Sequence, residues 1–296
     1  MKIYDCFTFF DEKMLLNLRL HYLDKFVDKF VIAESKYTHS GNKKKINFDI
    51  NDYPRFKHKI IFIPVYEQPK NLLKIYKKDT NHERGKKLIL NGYLRENFHR
   101  NYLEKGLKSL DAEDIIIISD IDEIPNLENV NFEKISSKII FFKQHFLFYK
   151  FNLLYKKKPW YGSRACKKKY FISAQWLRNI KSRKYSIFRP DIFFSKKKYN
   201  NVCFVNKGGW HFTNIKTPKE IYYKFRNYLH HLEFENSNLK LCDIKKMIRK
   251  KIALYNHEVD QKQSKFDGKI YLNKIPKKEL PEYLFKNLKL YKKWLA

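Results

Sequence analysis

Short apolar runs alternate with helical patterns along the first half of the chain. Residues 3–7, 30–33, 60–63 and 115–118 are mainly apolar runs of strand length, and the last of them consists of four isoleucines. Between these runs, apolar positions fall at helical spacing, and the longest such pattern predicts a helix over residues 84–110. Apolar strands separated by helices are typical of a sheet with helices on both faces. The pattern therefore predicts an α/β fold with a mostly parallel central sheet.

The pattern is less regular after residue 125. Residues 139–149 predict one long aromatic strand, and residues 202–205 predict a short strand that leads into Gly-Gly-Trp-His at 208–211. The sequence Thr-Pro-Lys-Glu at 217–220 has the spacing of a capping box and predicts the start of a helix. Because no internal repeat or linker is visible, we expect a single domain over the whole chain, with an irregular C-terminal portion.

The last segment of the chain carries an apolar stripe surrounded by lysines. Leu284, Leu288, Tyr291 and Leu295 fall on one face, and lysines occupy the other positions. A basic amphipathic helix of this kind can lie on an anionic membrane. Packing of the stripe on the domain is the favoured interpretation, and association with a membrane is the alternative.

The composition excludes several classes of protein. The 296 residues include 63 Lys+Arg and 31 Asp+Glu, which gives a formal net charge of +32. A hydrophobic fraction of 43% with 17% aromatic residues is too high for a disordered chain. Only 11 of the basic residues are arginine and 52 are lysine, whereas proteins that read nucleic acids concentrate arginine. We therefore expect no specific nucleic acid partner, and an anionic ligand or an anionic membrane fits the charge better.

Cysteine usage and targeting signals predict a cytoplasmic protein. The four cysteines, Cys6, Cys166, Cys203 and Cys242, show no C-x-x-C pair and no zinc spacing. We expect them to be buried thiols in a reducing compartment. No apolar run approaches the roughly 18 residues of a membrane span, and the N-terminus shows no signal peptide. Peripheral attachment to a membrane remains the open alternative.

The sharpest feature is the sequence Ser-Asp-Ile-Asp-Glu-Ile-Pro at residues 119–125, directly after the isoleucine run. The carboxyl ends of parallel strands face the ligand crevice of an open sheet, so the carboxylates of Asp120, Asp122 and Glu123 are expected there. Asp120 and Asp122 can share a divalent cation, Mn²⁺ or Mg²⁺, which in turn bridges the oxygens of a diphosphate. A solvated acidic turn that caps a following helix is the alternative interpretation.

Two enzyme classes place Asp-x-Asp after an apolar strand. Phosphotransferases and phosphatases of the haloacid dehalogenase type use the first aspartate, here Asp120, as the nucleophile, and they carry Thr or Val at the position of Ile124. Their motif usually follows the first strand of the domain, whereas metal-dependent nucleotide-sugar transferases carry it in the middle of the chain, as here. The position therefore favours a transferase. A non-enzymatic protein that binds polyanions or nucleic acid is the third alternative.

Other polar residues are candidates for the same site. His211 lies in a glycine-flanked loop and is either a third metal ligand or a hydrogen-bonded structural histidine. Glu34 follows the second strand, where it either contacts the base or ribose of a nucleotide or caps a turn. Arg95 and Arg100 lie on the helix before the acidic motif. Arg100 either forms an exposed ion pair with Glu96 or stabilises the charge of a diphosphate.

The chain resembles glycosyltransferase family 17, because a set of motifs matches in order nearly from end to end. The matching segments are residues 4–12, 15–20, 27–35, 38–41, 95–101, 119–125, 159–162 and 208–212. The resemblance implies a GT-A-like nucleotide-sugar transferase fold and a UDP-sugar donor, most often UDP-N-acetylglucosamine. It also implies a β-linkage that forms with inversion at the anomeric carbon. We expect no membrane anchor of the kind that the animal members carry, and therefore expect a bacterial or viral member that acts on another glycan, such as a lipid-linked glycan.

The two substrates are expected to bind to different parts of the chain. Residues 1–125 are expected to bind the nucleotide-sugar, and residues 126–296 are expected to form the acceptor side. Donor contacts are expected at Phe7, Thr8, Glu34, Thr38, Arg95, Arg100 and Asp120, and metal ligands at Asp120, Asp122 and His211. Inversion needs a general base that takes the proton of the acceptor hydroxyl. Glu233 and Asp260 are the candidates for that base.

Overall fold

The chain folds into an α/β structure with two mixed sheets. The computed structural model describes residues 1–227, 231–257, 266 and 270–296. The strands are β1 (Ile3–Phe9), β2 (Lys29–Ser35), β3 (Ile60–Val65), β4 (Ile115–Asp120), β5 (Glu123–Pro125), β6 (Ile139–Phe142), β7 (His145–Phe148), β8 (Leu153–Leu154), β9 (Arg164–Lys167), β10 (Val202–Val205), β11 (Gly209–Thr213) and β12 (Asn273–Lys274). The α-helices are α1 (Lys13–Leu23), α2 (Asn81–Asn101), α3 (Ala174–Asn179), α4 (Pro218–Asn227), α5 (His231–Asn236), α6 (Leu241–Arg249) and α7 (Glu282–Lys286).

The first sheet has seven strands in the order β10-β6-β9-β4-β1-β2-β3. β1 pairs in parallel with β2 and β4, and β2 pairs in parallel with β3, as the alternation of apolar runs and helices predicts. In this register Thr8 lies opposite both Ala33 and Asp120. The carboxyl ends of β1, β2 and β4 therefore meet at one edge of the sheet, the edge predicted for the ligand crevice.

The α/β class is confirmed, but the sheets are more mixed than predicted. β9 runs antiparallel to both β4 and β6. β9 lies between these two strands, so strands that follow residue 125 complete the first sheet. β5, which precedes residue 126, belongs to the second sheet, whose order is β12-β8-β7-β11-β5. Strands from both halves of the chain thus share both sheets.

The predicted long helix is α2, which ends earlier than the apolar pattern suggested. It begins at a capping box, in which Glu83 N donates to Thr80 Oγ1 (3.3 Å) and Thr80 N donates to the Glu83 carboxylate (2.9 Å). After Asn101 the chain tightens into a 3-10 helix over Tyr102–Gly106. Leu103 and Leu107 continue the apolar pattern because this tighter turn buries them against the first sheet.

The single strand predicted over residues 139–149 is wrong. Two strands, β6 and β7, occupy this segment and belong to different sheets. Gln144 marks the break: its N donates to the Trp160 carbonyl (2.8 Å), and Trp160 N donates back to the Gln144 carbonyl (3.1 Å). β7 then pairs with β11 and β8. Because side chains are buried in both sheets, the apolar pattern runs without interruption across the change of sheet.

The capping box predicted at residues 217–220 is confirmed. Thr217 N donates to Glu220 Oε2 (2.7 Å), and Glu220 N lies 3.4 Å from Thr217 Oγ1. α4 begins at Pro218, whose fixed φ and missing N–H suit the first helical position. Lys224 of this helix lies at the same cleft as Asp120 and Asp122.

The C-terminal stripe packs on the domain. Its apolar side chains are buried in, or packed against, the core between the first sheet and the C-terminal segment: Leu284, Leu288, Tyr291 and Leu295. The segment is also not one continuous amphipathic helix, since α7 is followed by a separate 3-10 helix over Lys292–Trp294. Among the helices in the described part of the chain, none combines the length and the apolar character needed to cross a membrane.

All four cysteines are free thiols, but they are not all buried. Cys6 and Cys166 lie inside the first sheet, where burial raises the pKa of the Cys166 thiol to about 12. Cys203 is partly buried, and Cys242 is exposed on α6. The expectation of buried thiols is therefore wrong for Cys242, which lies on the solvent side of an amphipathic helix whose buried face carries Ile244 and Met247.

Candidate active site

A cleft of about 310 Å³ lies at the carboxyl edge of β1, β2 and β4. Its lining includes five of the predicted site residues and one lysine from α4: Thr8, Thr38, Arg100, Asp120, Asp122 and Lys224. The predicted residues come from four separate parts of the chain, and the parallel register places them together. The cleft is therefore the candidate active site.

The carboxylate of Asp120 is held between two guanidinium groups. Arg100 Nη2 lies 3.0 Å from Oδ1, and Arg178 Nη2 lies 2.9 Å from Oδ2. Burial alone would raise the pKa of this carboxyl, but Arg178 and Arg100 hold the pKa well below its usual range. Asp120 is therefore ionised at neutral pH and fixed in one orientation.

Arg100 connects α2 to this strand end. Its Nη2 also donates to Glu96 (2.8 Å), one helical turn away, and its Nη1 donates to Gln175 of α3. Arg100 therefore forms the predicted ion pair with Glu96 and also lines the cleft where a diphosphate was predicted to bind. Unlike the exposed ion pair considered from the sequence, the guanidinium is almost completely buried. Its Nε has no hydrogen-bond partner among the described residues.

Arg178, near the end of α3, is a site residue that sequence reasoning missed. It donates to both oxygens of Glu123 (2.7 and 3.1 Å), to Asp120 and to the carbonyl of Gly162. Burial would lower the pKa of Arg178, but Asp120 and Glu123 raise it, so the side chain stays charged. One arginine thus clamps two of the three carboxylates in the acidic motif.

Glu123 points inward and joins three parts of the fold. Its carboxylate accepts hydrogen bonds from Trp160 Nε1 (2.6 Å), Arg178 Nη1 (2.7 Å) and the backbone N of Asp120 (2.8 Å). The side chain is almost completely buried. Glu123 therefore fixes the shape of the strand end, and the cleft is left to Asp120 and Asp122.

Gly162 allows the close approach of this carboxylate. A Cβ at residue 162 would lie 2.0 Å from Glu123 Oε1 and 2.3 Å from Trp160 Nε1. We expect Gly162→Ala to lower the free energy of unfolding by about 1–3 kcal/mol, because packed atoms must move apart. Urea denaturation measures the change, and Gly85→Ala in α2 is the control, which should stabilise by about 0.5–1 kcal/mol. An unchanged urea midpoint for Gly162→Ala would contradict this packing.

Arg19 holds the backbone of the acidic motif through hydrogen bonds. From the sequence it was identified only as part of the matching segment 15–20. Its guanidinium forms a fully buried ion pair with Asp5 (2.6 Å). It also donates to the carbonyls of Asp120 (3.1 Å) and Glu123 (2.7 Å). The available signal was an arginine among the leucines of an apolar helix face, which must find partners when it is buried. Arg19 thus satisfies backbone carbonyls at the turn that presents Asp122.

Asp122 and His211 face each other across two paired strands. β5 pairs antiparallel with β11, which puts His211 opposite Glu123, and Phe212 N donates to the Asp122 carbonyl (2.7 Å). His211 Nε2 then lies 3.6 Å from Asp122 Oδ2. Burial would raise the pKa of Asp122, but His211 and Lys224 lower it. Asp122 is therefore a carboxylate at the cleft that neither arginine binds.

The glycine-flanked loop predicted around His211 is wrong, since this residue lies within β11. A Cβ on Gly209, which has φ +120°, would lie 2.1 Å from the Ile124 carbonyl. Gly209 therefore allows β11 to approach β5, rather than a ligand. The imidazole stacks on the rings of Phe146 (4.7 Å) and Trp160 (4.5 Å). Its Nδ1 is buried and has no hydrogen-bond partner among the described residues.

The groups that could bind a metal ion at this edge are fewer than the sequence predicted. The described residues contain no group of three or more His, Cys, Asp or Glu side chains that could hold a metal ion. Asp120 is bound by two arginines, so Asp122 and His211 remain as a pair. Carboxylate oxygen and imidazole nitrogen are donors that Mn²⁺ accepts. Asp122 and His211 could therefore supply two donors to a divalent cation.

Three predicted donor contacts have partners inside the protein. The Glu34 carboxylate is buried and accepts from Asn47 N and Phe48 N (2.8 Å each) and from Lys44, which is the turn-capping alternative. Arg95 donates to Gln68 Oε1 (2.8 Å) and to the His39 carbonyl. The Phe7 side chain is fully buried, with the Arg19 guanidinium 4.5 Å from its ring centre. None of these three residues is among the residues that line the cleft.

Two histidines lie beside the cleft and are neutral at physiological pH. His99 Nε2 lies 3.0 Å from the Ala33 carbonyl, and its ring centre is 6.5 Å from that of His39. Burial lowers the pKa of His99 to about 3, and burial also lowers the pKa of His39. His39 and His99 therefore add no charge to the cleft at neutral pH.

The side chains of both candidate general bases lie outside the described part of the structure. Glu233 belongs to α5, and its side chain lies outside the described part of the structure. Asp260 lies outside the described residues. Both residues stay predictions from the sequence.

Comparison with known proteins gives a family and three relatives. A model of glycosyltransferase family 17 matches residues 1–176. Proteins named beta-1,4-mannosyl-glycoprotein 4-beta-N-acetylglucosaminyltransferase from Homo sapiens, Rattus norvegicus and Mus musculus are each 26% identical to this chain over 129 residues. The match covers 41% of this chain and 21% of each relative, so the chain spans about one fifth of their length. The family match includes β1, β2 and β4, and it ends before Arg178 and His211.

Proposed function

The chain belongs to glycosyltransferase family 17, and from that premise we propose that it transfers N-acetylglucosamine, or a related hexose, from a UDP-sugar to a glycan hydroxyl. The product is a β-linkage formed with inversion. The observation that carries the proposal is the cleft at the carboxyl edge of the parallel strands, where Asp122 and Lys224 lie together. The printed name of the relatives, which states N-acetylglucosamine transfer, supports the choice of sugar.

In this proposal, the fold is of the GT-A type, and the donor diphosphate lies between Asp122 and the cationic side chains of the cleft. Asp122 and His211 would hold Mn²⁺ or Mg²⁺, which neutralises the charge on the departing UDP when it is bound. Lys224 of α4 adds a positive charge to the lining of the cleft. Arg100 and Arg178 orient Asp120, so their charges are already balanced by carboxylates. Asp120 is then held in one orientation and can accept a hydrogen bond from the ribose or from water at the site.

Inversion requires attack from the side opposite the leaving UDP, with loss of the acceptor hydroxyl proton. Glu233 and Asp260 are the proposed candidates for the base, since both follow β11 in the chain. Residues 126–296 are proposed as the acceptor side, and residues 1–125 as the donor side. The proposed acceptor is a glycan, with lipid-linked glycans included, and the proposed location is the cytoplasm, with the enzyme peripheral to a membrane.

The geometry disfavours a phosphotransferase that uses Asp120 as the nucleophile. Such a nucleophile needs one carboxylate oxygen directed at the phosphorus atom. Here Oδ1 accepts from Arg100 and Oδ2 accepts from Arg178. Breaking either pair would deprive a nearly buried guanidinium of one of its two carboxylate partners. Asp120 therefore fits a fixed acceptor of hydrogen bonds better than a group that forms a covalent bond.

Nucleotide binding tests the proposal directly. We expect UDP with Mn²⁺ to raise the melting temperature in differential scanning fluorimetry. At about 100 times the dissociation constant, the gain in stability is about 2.7 kcal/mol. ADP and GDP are the matched controls, since they share the diphosphate, and EDTA removes the cation. Equal shifts with all three nucleotides, or no shift with UDP, would show that the cleft is not a UDP site.

A further inference from the structure

The loop after α3 carries the most exposed large apolar side chains of the described chain. Phe194, Phe188 and Phe193 are 92%, 89% and 75% exposed, and the neighbouring Ile187 is 55% exposed. We name residues 181–198 the aromatic loop. Exposed apolar clusters of this kind mark sites of interaction, because a lone protein buries such side chains where it can. The aromatic loop therefore needs a partner surface.

The aromatic loop is anchored at its base. Trp176 Nε1 donates to the Lys196 carbonyl (3.0 Å), and Lys181 N donates to the Lys197 carbonyl (2.8 Å). At the tip, a 3-10 helix over Pro190–Ile192 satisfies part of the backbone. The phenylalanines are thus held outward on a structured frame.

The charge of the aromatic loop is strongly positive. Its basic residues are Lys181, Arg183, Lys184, Arg189, Lys196, Lys197 and Lys198, and its one acidic residue is Asp191. Asp191 pairs with both Arg189 (3.0 Å) and Lys198 (2.5 Å), so this group of three side chains keeps a net positive charge. The other cations remain beside the exposed rings. Phenyl rings next to lysines match a surface with an apolar interior and anionic head groups.

We propose that the aromatic loop docks the protein on an anionic lipid bilayer, with Phe188, Phe193 and Phe194 inserted at the level of the head groups. Phenylalanine has no polar atom, so its ring gains most from a medium that excludes water. A second copy of this chain fits less well, because two such loops would bring like charges together. The inference concerns a surface outside the cleft and goes beyond the proposed reaction.

The aromatic loop is joined to the candidate active site through α3. Arg178 of this helix binds Asp120, and the loop starts three residues later. Arg164 of β9 donates to the carbonyls of Leu177 (2.9 Å) and Ile180 (2.8 Å), which fixes the end of α3 to the first sheet. If the proposed transfer reaction holds, docking at this loop favours acceptors carried by lipids.

Sedimentation with lipid vesicles tests the docking, with no nucleotide-sugar present. We expect the full chain to bind vesicles of phosphatidylcholine mixed with phosphatidylglycerol, and to bind pure phosphatidylcholine much less. The triple variant Phe188→Ser/Phe193→Ser/Phe194→Ser should lower the partition coefficient about 10-fold or more. Its matched control is Tyr66→Ser/Tyr271→Ser/Phe285→Ser, which removes three exposed aromatic rings elsewhere and should bind as the unchanged protein does.

A second pair of variants separates the loop from the general positive charge. Lys184→Ser/Lys196→Ser/Lys197→Ser should weaken binding more than Lys156→Ser/Lys157→Ser/Lys158→Ser, which removes equal charge from another exposed lysine run. Circular dichroism confirms that each variant is folded. Equal losses from both lysine triples, unchanged binding by the phenylalanine triple, or a concentration-dependent dimer that this triple abolishes would overturn the proposal. Vesicle binding does not require sugar transfer, so its failure leaves the proposed reaction standing, and the reverse also holds.

Discussion

Replacement of Arg178 by methionine is expected to lower the free energy of unfolding by about 3–5 kcal/mol, the cost of removing one partner from a buried ion pair. The methionine keeps much of the apolar stem but leaves Glu123 and Asp120 without their shared guanidinium. Glu123 is almost completely buried, so water cannot solvate its carboxylate once the guanidinium is removed. Urea denaturation, followed by tryptophan fluorescence, measures the change.

Arg183→Met is the matched control for this change. Arg183 is an exposed arginine in the aromatic loop, and its loss should alter the free energy of unfolding by no more than about 0.5 kcal/mol. Arg178→Lys should fall between the two, because an ammonium group keeps the charge but cannot fork onto two carboxylates. Equal urea midpoints for Arg178→Met and the unchanged protein would show that the clamp does not support the acidic motif.

The first sheet could be predicted from the sequence because its signal is local. Each of the four parallel strands contains an apolar run, and the runs of β2 and β4 are followed directly by polar residues at the same end. The parallel arrangement then placed Asp120 and Thr8 side by side without any knowledge of side-chain contacts. For the same reason, Asp120 and Asp122 could be predicted to lie at the edge of the sheet where the cleft is found.

The partners of those carboxylates could not be predicted in the same way. Arg178 reaches Asp120 from 58 residues away and Glu123 from 55 residues away. Those contacts depend on how α3 packs against the first sheet, which the spacing of apolar residues in the sequence does not predict. The inward turn of Glu123 was equally hidden, since it depends on Trp160 and on the missing side chain of Gly162.

His211 shows a mixed outcome. The prediction that it lies near Asp122 agrees with the 3.6 Å separation of their side chains. The predicted loop is wrong, because pairing of β11 with β5 and β7 is a contact between distant segments. Glycines before a histidine indicate a close backbone approach in either case, and the sequence did not distinguish a ligand from a neighbouring strand.

Replacement of Asp122 by asparagine is expected to lower the rate of sugar transfer about 100-fold or more, the scale on which a single electrostatic group at a reacting centre acts. Asparagine has the same shape but no charge, so it weakens the proposed hold on the cation and the diphosphate. The free energy of unfolding should fall by no more than about 1–3 kcal/mol, because Asp122 and His211 are mostly buried but asparagine keeps an oxygen that can accept a hydrogen bond from His211. Asp52→Asn, at an exposed carboxylate paired with Lys13, is the matched control and should keep full activity.

Proton magnetic resonance of the reaction with UDP-N-acetylglucosamine and Mn²⁺ tests the central claim most directly. The unchanged protein, without an acceptor, should slowly release UDP and the β-anomer of the sugar, since water then replaces the acceptor hydroxyl on the side opposite UDP. Asp122→Asn should release neither at a comparable rate. Release of the α-anomer would contradict inversion, and no release of UDP from this or any other UDP-hexose would contradict the assignment as a UDP-sugar transferase.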